Sequence, residues 1–195
     1  MRIYGLLLAA VLPLAAGPLT QGERDYALSQ LQATRKMVLD TVAGLSAAQW
    51  KYKPSGGGWS IAEIADHILL SEGFMMTELK KQLDTPAVAP RFGNSDDVKV
   101  YASMLDRSNK AKAPQALQPA ANAPSQAELA KKFAAARDRT IDYVLKTQDD
   151  LRSHISGTGD HAYDAYQWVL AIAAHTERHM AQIKEVMASP GFPKK

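Results

Sequence analysis

Apolar side chains recur at every third or fourth position along four long stretches, the period of a helix with one buried face. In the first, Tyr26, Leu28, Leu31, Met37, Val38 and Val42 predict a helix over residues 23–44, with Gly44 as its stop. The next stretch is turn-rich. Ser46 caps a short turn through Trp50, and Pro54 with Gly56, Gly57 and Gly58 breaks regular structure. Ser60 and Glu63 then form a capping-box signature that opens a second helix over residues 61–83. Its spacing assigns Ile64, His67, Leu70 and Phe74 to the inward face. Gly73 costs that helix about 1 kcal/mol of propensity, which predicts a close helix contact or a local bend.

Residues 84–124 are irregular, interrupted by Pro86, Pro90, Pro114, Pro119 and Pro124. Within them, NSDDVKVYASMLDRSN predicts a short helix opened by Asn94 or Ser95, with acids in its first turn. KAKAPQALQPAANAP predicts an extended surface crossover. A third long helix starts at Ser125 with a second capping box to Glu128. Phe133, Ile141, Val144 and Leu145 form its apolar stripe, and it ends within 146–150. The fourth runs over 162–188 before Pro190, Gly191 and Pro193. Four long helices, one long crossover between the second and third, and no convincing strand predict an all-α four-helix bundle.

The 195 residues suffice for one domain with a substantial core. We assign it to residues 23–189, with a short tail at 190–195. The start of the chain reads differently. Arg2, the apolar residues 3–12 and the small residues Ala15, Ala16 and Gly17 predict a secretory signal over 1–17, cleaved after Gly17. This implies a periplasmic or secreted protein with no stable membrane span after processing, or an anchored one if the signal is retained. With no cysteine, disulfides, thiolate metal sites and thiol nucleophiles are excluded. The formal charge of +3 is spread among interspersed acids and bases, so no nucleic-acid partner is expected. A small-molecule substrate is expected instead, and a homodimer is compatible with this reading.

The chemistry points to the histidines. His175 and His179 stand one helical turn apart on the fourth helix, and His67 lies inside the second. If those helices are neighbours, three imidazoles converge to hold a divalent ion through nitrogen while leaving a coordination position open. The alternative for each is a core histidine satisfied by hydrogen bonds. In His-Thr-Glu-Arg-His, Glu177 falls on a different face from the two histidines, so the HExxH arrangement is absent. Glu63 is either a cap or an outer ligand, and Gln182 either a hydrogen-bond partner or surface. The glutamate pattern of a di-iron bundle is missing. His154 and His161 flank a glycine-rich loop and read as solvated, while Trp50, Trp59 and Trp168 read as packing anchors. No arginine cluster that would fix a carboxylated substrate is visible, and no catalytic acid or base can be assigned.

The segments GGWSIAEIADHILLSE and DAYQWVLAIAAHTERHMAQIKEV, with the crossover prolines and Arg-Ser-Asn-Lys, resemble the DinB-like metalloprotein superfamily, in the branch near the YfiT-like metal-dependent hydrolases. The resemblance spans residues 23–187. It implies an up-up-down-down four-helix bundle with zinc or nickel held by His67, His175 and His179. It also implies a hydrolase or thiol-dependent transferase in which the metal activates water or a thiol nucleophile. A non-catalytic exported metal-binding or interaction protein is the alternative.

Overall fold

Each long helix starts where a side chain can take up the amides that a first turn leaves without partners. The computed structural model describes residues 17–108, 112–159 and 162–194. Residues 1–16 of the expected signal, and His161, lie outside them. Thr20 caps α1 (Gln21–Gly44), Ser46 caps α2 (Ala47–Lys51), Ser60 caps α3 (Ile61–Leu83) and Asp164 caps α6 (Ala165–Met187). Each cap is answered by a side chain three residues on, from Glu23, Gln49, Glu63 and Gln167 respectively. α4 (Asn94–Leu105) starts after Gly93, whose amide donates to Asp96. Ser125 caps α5 (Gln126–Lys146), but the Glu128 carboxylate turns to Lys132 Nζ at 2.6 Å instead of closing the expected box.

One element was not anticipated. β1 (Ile155–Ser156) pairs antiparallel with β2 (Tyr163–Asp164), and this pairing delays the start of α6 to Ala165. Two residues are too few for an alternating pattern to register in a sequence.

Helix directions follow from which ends share a core. Val38 and Val42 of α1, Ile61, Ile64 and Ile68 of α3, Leu129 and Phe133 of α5, and Met180 and Ile183 of α6 pack at one end. Leu31, Met75, Leu79, Val144, Leu170 and Ile172 pack at the other. Thus α1 and α6 run one way and α3 and α5 the other, with α3 against α6 and α1 against α5. The four-helix bundle is the one expected. Its two-up, two-down balance reads along the chain as up, down, down, up, one helix out of phase with the order the resemblance implied. Because α3 and α5 are parallel, the chain between them must return along the 23 residues of α3, about 35 Å at 1.5 Å per residue. The long crossover does this, with α4 laid along α6 and a 3₁₀ turn at Gln115–Leu117 against α3.

Several expected core positions lie outside. Leu70 and Phe74 are 37% and 43% exposed, as are Tyr26 at 39% and Leu145 at 53%. α3 buries the expected Ile64 and His67, but continues with Ile68, Ser71 and Met75 in place of Leu70 and Phe74. No close contact explains Gly73, since a Cβ there would meet nothing within 4 Å.

The largest fully buried side chain is Arg137 of α5, which occupies the row where an apolar stripe was expected. Its guanidinium donates to Glu72 Oε1 of α3 (2.9 Å), to the Leu31 carbonyl (3.0 Å) and Thr34 Oγ1 (2.6 Å) of α1, and to Thr176 Oγ1 of α6 (2.9 Å). One cation thus ties the other three long helices to its own, between the two halves of the core. A second buried arginine, Arg152, joins Glu23, Asp97 and Asp164 and so pins the starts of α1, α4 and α6 together. Among the described residues, no helix is long and apolar enough to cross a membrane.

Candidate metal centre

Antiparallel packing of α3 on α6 sets the early turns of one helix against the later turns of the other. His67 is thereby brought to His175 and His179. Ring centroids lie 5.1 Å (His67 to His175), 4.6 Å (His67 to His179) and 4.4 Å (His175 to His179) apart. One nitrogen from each ring falls within 4.8 Å of the others, and no Asp or Glu among the described residues joins the group. His67 and His179 are buried, and His175 is half-buried.

Neighbouring acceptors fix two of the three tautomers. His67 Nδ1–H donates to the Leu117 carbonyl at 2.6 Å, and His179 Nδ1–H donates to Gln182 Oε1 at 2.8 Å. Each bond leaves the lone pair on Nε2, and His179 Nε2 stands 3.1 Å from His175 Nε2. Burial, the first cause in each case, disfavours the protonated form of all three. His175 is pushed down to about 2, helped by His179, His67 and Arg178. His179 is pushed down to about 4, with the Gln182 bond opposing and Arg178 and Arg107 assisting. His67 is lowered against the opposing pull of the Leu117 carbonyl and Asp66. Neutral imidazoles with inward lone pairs are the form that ligates metal. The 3.1 Å separation approaches the roughly 3.3 Å between nitrogens on a tetrahedral ion with bonds of about 2.0–2.1 Å. The donor set therefore fits a metal cation.

The crossover supplies the outer support. The Leu117 carbonyl comes from its 3₁₀ turn, and the Asp66 carboxylate, beside His67, accepts from the Ala120 amide at 3.0 Å. On the other flank, Trp59 sets its indole 5.0 Å from the His67 ring. The turn before it needs Gly57 and Gly58 at φ 85° and 103°, a region that side chains disfavour. Leu117, Trp59, Gly57 and Gly58 edge a cleft of about 870 Å³, which the three imidazoles also line.

The other candidates resolve cleanly. Glu63 caps α3 and pairs with Lys53 at 2.9 Å, so it is not a ligand. The Glu177 carboxylate accepts from Tyr101 OH at 2.9 Å, away from the histidines as its face predicts. Gln182 is the hydrogen-bond partner that one of its two readings anticipated. His154 is not simply solvated, since its Nδ1 bonds the Thr85 carbonyl at 2.8 Å. Trp50 is a buried anchor, whereas Trp59 belongs to the cleft. The sequence reading missed the Leu117 carbonyl, which no side-chain pattern can announce. It also missed a set of cations in the cleft, Arg107, Lys112 and Arg178, that come from separate elements.

With this geometry in place, residues 30–183 match the family model described as the DinB superfamily. The chain belongs to the DinB superfamily. A relative from Bacillus subtilis (strain 168), the uncharacterized protein YuaE, is 25% identical over 160 residues, 82% of this chain and 96% of that protein. Among solved structures, YfiT from Bacillus subtilis superposes with a TM-score of 0.57 at 14% identity, covering 92% of this chain and 93% of that one. That structure is described as a probable metal-dependent hydrolase with an unusual four-helix bundle topology. The shared fold places this DinB-superfamily chain on the same bundle, with its histidine cluster between α3 and α6.

Proposed function

We propose that the protein is a divalent-metal-dependent enzyme acting on a small molecule, in which His67, His175 and His179 hold zinc or nickel. The observation that carries the reading is the cluster itself at the wall of a cleft, with one nitrogen of each ring within 4.8 Å of the others and two of the three tautomers set by hydrogen bonds. A divalent ion bound there supplies Lewis acidity, activating water or a thiol as nucleophile and polarising a substrate oxygen. The resemblance of YfiT supports the hydrolytic version, and the superfamily membership is equally compatible with thiol transfer.

The chain's own residues have narrower tasks. Leu117 and Gln182 hold two imidazoles in orientation by accepting their outer protons. Trp59 and the crossover flank His67 and limit its access to water. Among the described residues no carboxylate joins the histidine cluster, and Glu63, Glu72 and Glu177 are each engaged elsewhere. The reading therefore assigns no protein carboxylate as general base. The signal-like start of the sequence supports placing this activity outside the cytoplasm.

Metal analysis of protein purified without an affinity tag tests the proposal. The wild type should hold about one zinc or nickel per chain, and His67→Ala and His179→Ala should each lose it while keeping a helical circular dichroism spectrum. Stoichiometric metal retained in both folded variants would overturn the site.

A further inference from the structure

The cleft in front of the histidines carries more positive than negative charge, and its charged residues come from different parts of the fold. Arg107 follows α4, Lys112 lies in the crossover, and Arg178 is on α6 between the two histidines. Arg107 is held in place by a forked pair with Glu185, Nε to Oε1 at 2.9 Å and Nη2 to Oε2 at 2.7 Å. Arg178 donates to the carbonyls of Met104, at 3.2 Å, and Asp106, which close the end of α4. Lys112 is exposed and has no ion pair among the described residues. Both guanidiniums line the same cleft as His175 and His179.

Against these three cations the cleft has two acids, Asp106 and Glu185. Asp106 is turned to the Ser108 amide and hydroxyl, both at 2.9 Å. A cleft with an excess of positive charge favours an anionic occupant. Trp59, Met104, Leu117 and Val186 supply its apolar wall. The volume, about 870 Å³, falls in the range of small-molecule sites.

We infer that the cleft binds a small organic anion, its apolar or aromatic body against Trp59 and its carboxylate or similar group against Lys112, Arg107 and Arg178. This deepens the metal-enzyme reading and rests on it for the reaction, while the cations and the indole that recognise the ligand belong to the chain itself.

The test uses a pair of probes with the same core and different charge, 4-carboxybenzohydroxamate and its methyl ester. Each is titrated calorimetrically into full-length protein whose metal content has been measured first. The acid should bind at least 10-fold more tightly than the ester at low salt. That preference should shrink as sodium chloride rises to several hundred millimolar. Lys112→Glu and Arg107→Gln should each reduce it several-fold, whereas Trp59→Ala should weaken both probes alike. Equal affinity for acid and ester would overturn the inference, as would a preference unchanged in Lys112→Glu/Arg107→Gln protein that keeps its helical spectrum. Absence of metal would overturn the metal reading alone, seen before any probe is added. The acid-over-ester ratio would still report on the cationic wall.

Discussion

At the scale of single residues, the centre depends on groups that hold imidazoles rather than on the imidazoles alone. Gln182 Oε1 fixes the His179 ring from the side away from the cluster. Replacing such a partner commonly weakens metal affinity about 10- to 100-fold. Gln182→Ala should do this in a chelator-competition titration, and Gln182→Glu, which can accept the same proton, should restore most of the loss. Unchanged affinity in the alanine variant would deny the role. The same burial has a consequence for the metal-free chain. All three histidines have folded values below the ordinary one, so the unfolded chain takes up their protons first as pH falls. Their contribution is fully present above about 6.5 and is lost below it, at up to about 1.4 kcal/mol per pH unit for each imidazole. In EDTA, urea unfolding should show the wild type losing about 1–4 kcal/mol between pH 7.5 and 5.5. His175→Gln/His179→Gln protein should lose much less. Equal losses would show that these rings are not held neutral.

At the scale of helices, the bundle is organised around a charge that an amphipathic pattern would place outside. Arg137 is fully buried, and Glu72 Oε2 is buried without a hydrogen-bond partner among the described residues. Removing one partner of such a pair typically costs about 3–5 kcal/mol, whereas replacing both by apolar groups of similar volume is often close to neutral. Arg137→Met should therefore destabilise strongly, and Arg137→Met/Glu72→Leu should recover most of the loss. Chemical denaturation of the two variants decides this, and a double variant no better than the single would contradict it. The double change is tolerable because Thr34, Thr140 and Thr176 already bond carbonyls of their own helices, at 2.8, 3.3 and 2.9 Å. This layer also marks what was and was not legible in the sequence. Caps at Ser46, Ser60 and Ser125 and the extent of α3 could be read directly, because they depend on neighbours within a few positions. The buried rows could not. Leu70, Phe74, Leu145 and Tyr26 satisfy helical spacing yet face outward, while Glu72 and Arg137 face inward. Spacing gives a period, and which of two adjacent rows is buried depends on partners from other helices.

At the scale of the whole molecule, function rests on chain direction. The three histidines were legible as a candidate because two share one helix face and the third sits mid-helix. Their meeting was not, because it requires α3 and α6 to be antiparallel neighbours. The same parallel placement of α3 and α5 forces a long return connection, and that connection delivers the Leu117 carbonyl, Arg107 and Lys112 to the cleft. Sequence reasoning expected a short helix and an extended surface crossover in this segment and assigned none of its side chains to the site. The cations went unrecognised because they lie on three separate pieces of chain. X-ray absorption at the metal edge of zinc-loaded wild-type protein examines the central claim most directly. The account predicts three imidazole nitrogens at about 2.0–2.1 Å plus at least one light-atom ligand that is exchanged by an added hydroxamate. Fewer than three imidazoles, or a shell closed by a fourth protein ligand that no hydroxamate displaces, would contradict it.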